Sequence, residues 1–139
     1  MSDLFSVFNT SASALTAQSV RLNTVASNLA NANTVASTPE DAYISKQVLF
    51  QTIMDQEDPD DVTMPVRVSD ILDSGAQPFP SYEPNHPQAN EEGYVFHAAV
   101  NVVEEMANMM SASRSYEANV EVMTTTRELL QRTLQTGKS

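Results

Sequence analysis

The two ends of this chain carry the same pattern, and it limits the fold more than any other feature. Phe8, Leu15, Leu22 and Leu29 recur every seven residues, and Phe5, Ala12, Ser19 and Ala26 lie three residues ahead of each. At the other end Val102, Met109, Tyr116, Met123 and Leu130 share one heptad position, and Met106, Ser113, Val120, Arg127 and Leu134 share the second. A 3–4 alternation of this kind predicts a helix with one apolar stripe. Neither helix can bury its stripe on itself.

The first helix is expected over about residues 2–31. Gly and Pro are absent from it, Ser2 or Asp3 can cap its first amides, and the run Asn28-Leu29-Ala30-Asn31-Ala32-Asn33-Thr34 ends it, because Asn side chains compete for backbone hydrogen bonds. Its other face is Ser, Thr, Asn and Gln rather than Glu and Lys, which suits close packing against protein better than solvent. The last helix is expected from Val102 to about Thr136, with Glu104 and Glu105 in its first turn, Arg132 near its end and Gly137 as the stop.

Between them lie all seven prolines and most of the charge. From Thr38 to His97 twelve Asp or Glu face Lys46 and Arg67, a balance of −10 out of the whole chain's −11. Residues Tyr43 to Met54 read as a strand, with Met64 to Ile71 and Tyr94 to Val102 as shorter ones. Asp55 to Asp61 and Pro78 to Pro87 read as loops. The expected fold is therefore α+β, mainly α: an antiparallel, coiled-coil-like pair of helices over 1–33 and 102–139, with an irregular β insertion over 34–101 projecting from one end.

Composition excludes several functions. Seven Lys and Arg against eighteen Asp and Glu argue against nucleic acid and against an anionic membrane surface. No run approaches the ~20 apolar residues that span a bilayer. With no Cys there is no disulfide and no thiolate zinc site. Asp3 stands where a secretory signal would be positive, so general secretory export is not expected. The acidic run from Asp55 fails as a calcium loop, since Pro59 is its fifth position, the sixth is not Gly and the twelfth is Val66. His86 and His97, eleven residues apart, make no helical ligand pair, and neither a P-loop nor a nucleophile elbow is present. No cofactor, metal, small-molecule substrate or catalytic residue is expected.

The residues alone leave two readings of the stripes open, an ordinary intramolecular helix pair and a polymer interface. An adaptor binding one partner through its stripe is a further alternative; an enzyme lacks its parts. What separates them is a resemblance. Ala17-Gln18-Ser19 through Thr34 resembles the N-terminal signature of flagellar rod and hook proteins, a helix running out into Ala-Ser-Asn-Leu-Ala-Asn. Tyr82-Glu83-Pro84-Asn85-His86-Pro87, Gly93-Tyr94-Val95, Asn101 to Met106 and Ser111 to Val122 resemble, in order and spacing, the short proximal-rod members of that family. Ala98-Ala99 departs from it, standing where relatives tend to have Pro-Asn, and 38–76 matches loosely.

The resemblance implies a structural subunit of the bacterial flagellar basal body, exported by the flagellar type III apparatus without a cleaved signal and polymerising in the periplasm through its terminal helices. It implies as partners other copies of itself, other proximal-rod proteins, the distal rod and an export-gate or membrane-ring adaptor. On this reading Phe5, Phe8, Leu15, Leu22 and Leu29 pack on Met109, Tyr116, Met123, Leu130 and Leu134. Asn28, Asn31, Asn33 and Thr34, whose groups both donate and accept, are expected to bridge subunits, with Arg114 and Asn119 as further contacts.

Overall fold

The computed structural model describes residues 2–54 and 64–138. The acidic run Asp55 to Asp61 falls outside them. Two long helices, α1 (Ser2–Ala30) and α2 (Val102–Thr136), enclose five strands: β1 (Val35–Ala36), β2 (Lys46–Thr52), β3 (Val66–Asp73), β4 (Phe79–Tyr82) and β5 (Tyr94–His97). This is the predicted class, two long helices around a small β region.

The helices are antiparallel. The backbone amide of Ala98 donates to Thr34 O at 3.1 Å, which joins the end of α1 to the approach to α2. Moving away from that junction along both helices, Arg21 Nη2 meets Asn108 Oδ1 at 3.4 Å. The chain turns out of α1 through its asparagines: Asn31 N–H and Nδ2 both reach Ser27 O, at 3.1 and 2.8 Å, and Thr34 Oγ1 donates to Asn31 O at 2.8 Å. These bonds satisfy carbonyls that the helix end leaves without partners. α2 is entered through Asn101, whose side chain accepts from Glu104 N–H at 3.3 Å, and it stops at Gly137, whose N–H returns to Thr133 O at 3.0 Å.

β1, β5 and β4 form one antiparallel sheet in that order, and β2 and β3 form a separate antiparallel hairpin. The Pro-rich stretch is a strand in part, where a loop was predicted. Pro80 lacks a donor, but β4 is an edge strand that pairs only with β5, so one of its rows of backbone groups needs no partner. The hairpin also departs from expectation. It does not project beyond the helices but runs back along α1, with Lys46 bonded to Asn28 at one end and Val66 N–H donating to Ser13 Oγ at 3.0 Å near the other. A helix pair alone leaves grooves beside its contact line, and the hairpin covers one of them. The buried hydrophobic residues are few and small: Ala17, Val25, Ala42, Val95, Ala98, Ala99 and Ala112.

Candidate assembly surface

Along the helix contact the packed stripe is turned by one residue from the one the apolar pattern suggests. Phe8, Leu15, Leu22 and Leu29 are half-buried, but their companions are Leu4, Ser11, Gln18 and Val25, not Phe5, Ala12, Ser19 and Ala26. In α2 the same slip occurs. Met109, Met123 and Leu130 are half-buried, and Glu105, Ala112 and Thr126 lie innermost, with Asn119 half-buried between them, where the apolar pattern selects Met106, Ser113, Val120 and Arg127. Phe5 at 55%, Tyr116 at 38% and Leu134 at 54% exposure stand outside the pair in the single chain. The cause is size: two helix backbones approach most closely over Ala and Ser, which pushes bulky side chains to the margins of the contact. Ser11, Ala17, Ala112 and Thr126 are all nearly inaccessible.

Asn28 is fully buried. Its Oδ1 accepts from Lys46 N–H at 2.9 Å and from the Tyr43 hydroxyl at 2.8 Å, while Nδ2 donates to Lys46 O at 2.9 Å. The side chain therefore mimics a neighbouring strand for Lys46 and pins β2 to α1. In the single chain its amide oxygen and one amide hydrogen are engaged internally and none of it reaches the surface. Asn31 is occupied at the helix end, whereas Asn33 and Thr34 are exposed. Asn119 lies on the packed stripe and donates to Ser115 O of its own helix at 2.8 Å. Arg114 is exposed, and among the described residues no carboxylate lies within ion-pair distance of it.

The outer surface is unusually apolar for a chain with so small an interior. Val103, Met106, Met110 and Leu129 are exposed on α2, and Leu49, Phe50, Ile71 and Leu72 on the hairpin. The accessible surface is 9580 Å², whereas a compact monomer of 15.2 kDa exposes about 7,100 Å². The chain thus carries on the order of 2,500 Å² more surface than a compact monomer of its mass.

Little here could perform chemistry. His97 Nε2 on β5 lies 3.2 Å from Oε1 of Glu83, which follows β4, and His86 Nδ1 accepts from Gln88 N–H within a turn. Among the described residues no three His, Asp or Glu gather in a way that could hold a metal ion, and no helix is long and apolar enough to cross a membrane. Two clefts, of about 370 and 490 Å³, flank the start of α2 and share Glu104 and Glu105 as lining residues.

Comparison with known proteins shows which family the chain belongs to. Residues 8–35 match the family described as "Flagella basal body rod protein", and residues 91–136 match "Flagellar basal body rod FlgEFG protein C-terminal". Over 135 residues the chain is 47% identical to the flagellar basal-body rod protein FlgC of Escherichia coli O157:H7, covering 97% of this chain and 98% of that one. The chain belongs to the FlgC family of flagellar basal-body rod proteins. The FlgC of Salmonella typhimurium (strain LT2) is 44% identical over the same share of both chains. That of Aquifex aeolicus is 38% identical over 140 residues, covering 99% of this chain and all of its own. A FlgC-family chain is a structural subunit of the flagellar basal-body rod, not an enzyme. Such a subunit assembles with other rod components.

Sequence reasoning missed Glu105, Ala112 and Thr126 because it followed large apolar side chains. The signal that could have found them is the recurrence of small or polar residues at Glu105, Ala112, Asn119 and Thr126, each seven apart.

Proposed function

We propose that this subunit polymerises through its terminal helices within the proximal part of the rod, the outward faces of α1 and α2 meeting neighbouring subunits. The observation that carries this reading is the mismatch between exterior and interior: large apolar side chains lie outside while alanines fill most of the core. Neighbouring copies and other rod proteins would bury Phe5, Tyr116 and Leu134, completing the seam that the single chain leaves open. Asn33, Thr34 and Arg114, exposed and near these faces, are the polar contacts of the same surface. Adjoining partners on this reading are other proximal-rod proteins, the distal rod and an export-gate or membrane-ring adaptor. Delivery by the flagellar type III apparatus to the periplasm accords with membership of the family. The test is deletion of the gene in a motile host followed by isolation of basal bodies: loss of rods and hooks, restored by the wild-type chain, is expected. Intact rods and hooks in the deletion strain would defeat the reading.

A further inference from the structure

After Asp3, α1 carries a single charged residue, Arg21, and its side chain meets the start of α2 at Asn108. Of the residues that lie innermost on α2, only Glu105 is charged. The two line one cleft of about 370 Å³, together with Thr24, Val25 and Asn108. Glu105 is 7% exposed, and its Oε2 has no hydrogen-bond partner among the described residues. A carboxylate withdrawn from water with neither donor nor counter-ion is strongly disfavoured. Lys46, the other cation on this cleft, holds Asp73 Oδ1 at 2.9 Å in an exposed pair. Arg21 is held less firmly: its Nη2 donates to Asn108 Oδ1 at 3.4 Å, longer than the roughly 2.7–3.2 Å of an ordinary N–H···O bond.

We propose that Arg21 is the counter-ion of Glu105, its guanidinium moving along the cleft from Asn108 onto the carboxylate and clamping the first turn of α2 to α1. Asn108 and Glu105 are three residues apart on one face of α2, about 4.5 Å along its axis, so a guanidinium at one lies within a side chain's swing of the other. The pairing is selective because α1 offers no second cation and the packed stripe of α2 no second acid. A guanidinium grips a carboxylate through two parallel N–H donors, so the clamp fixes an angle as well as a distance. With Glu105 held toward α1, α2 cannot turn about its own axis, and Val103 and Met106 stay on the outer surface where they are exposed. Arg21 is thus a positioning residue, acting on the outer face of α2 through Glu105.

Full-length wild type, Arg21→Gln, Glu105→Gln, the double variant and Asn108→Ala are compared by urea unfolding at a dilution where each is monomeric. Arg21→Gln strands a buried charge and is expected to lower the folded-to-unfolded ratio at least about tenfold. Glu105→Gln keeps the shape and removes the charge, so it should cost less, and added to Arg21→Gln it should restore most of the loss. Losses that simply add, or an Arg21→Gln chain as stable as wild type, overturn the clamp. So does a loss on Arg21→Gln that vanishes in the Asn108→Ala background and persists in the Glu105→Gln one, since Arg21 would then serve Asn108 alone. A second readout is the Arg21 Nε–H signal in NMR, expected to exchange slowly with water in wild type and Asn108→Ala and rapidly in Glu105→Gln. Rapid exchange in wild type, or slow exchange that survives Glu105→Gln, overturns the proposal whatever the stabilities show.

Discussion

Asn28 on α1 and Lys46 on β2 are joined by two hydrogen bonds of 2.9 Å, one donated and one accepted by the same buried amide, and Tyr43 adds a third at 2.8 Å. Asn28→Ala leaves the Lys46 N–H, the Lys46 carbonyl and the Tyr43 hydroxyl without that partner in a closed site. The expected loss is about 2–4 kcal/mol, since each unsatisfied buried group costs roughly 1–3 kcal/mol and the site can relax in part. Asn28→Asp keeps an acceptor for Lys46 N–H but sets a carboxylate oxygen against Lys46 O, and its deficit should shrink when acid protonates it. Urea unfolding of the dilute protein measures both. A change below about 0.5 kcal/mol for Asn28→Ala would mean that β2 is held by something else.

Gly93 has φ of +83°, and a Cβ built on it would come within 2.8 Å of Tyr82 Cε2 and 3.2 Å of Pro84 Cβ. Tyr82, 64% exposed, can swing outward only by giving up its edge-on packing against Tyr94 at 5.3 Å, while Pro84 stays in place. Gly75 has a similar φ of +77° with nothing within 4 Å. Gly75→Ala should therefore cost about 1 kcal/mol, the left-handed conformation alone, and Gly93→Ala clearly more, on the order of 2–3 kcal/mol. Melting temperatures of the two variants decide it. Equal losses would show that Tyr82 and Pro84 give way freely.

The Ser81 hydroxyl first, and His97 next, hold the Glu83 carboxyl below its ordinary 4.5. Below that value the unfolded chain binds a proton at Glu83 that the folded one resists. The stability contributed by Glu83 is thus present above pH 4.5, and is lost as pH falls through the lower folded-state value. Both groups are exposed, so the effect is modest. Melting temperatures of wild type and Glu83→Gln should differ at neutral pH and converge in stronger acid. A gap that stays constant or widens on acidification would refute the assignment.

How much of this was legible in the sequence depended on whether a residue's role showed in its own chemistry. The helices were, because heptad spacing of Leu, Phe and Met is a local signal, and the Asn-rich stop and Gly137 are local too. Asn28 was visible as a helix-ending residue, but its partner Lys46 lies eighteen residues on in a separate element, and nothing local marks that approach. β4 was hidden because Pro80 argues against a strand, and only its place at a sheet edge removes the objection. The rotation of both stripes was hidden for a related reason: apolar pattern shows which residues avoid water, not which ones let two backbones come close. In a polymer subunit these differ. Apolar residues are shared between the chain's own seam and its neighbours.

The rotation itself makes the last prediction. Ala112, on the packed stripe of α2, is wholly inaccessible; Ser113, the next residue, lies on the stripe that apolar spacing selects and is only half-buried. Ala112→Leu must push α2 away from α1 or force strained rotamers, at a cost of about 1–3 kcal/mol. Ser113→Leu places the same side chain about 100° around the helix, where it can lean toward solvent, and it should cost under about 1 kcal/mol. Chemical unfolding of the dilute monomers compares them directly. If Ser113→Leu proves the more damaging variant, the helices meet along the apolar stripe after all. If Ala112→Leu does, the small residues define where the pair closes, and the large ones are left to face other subunits.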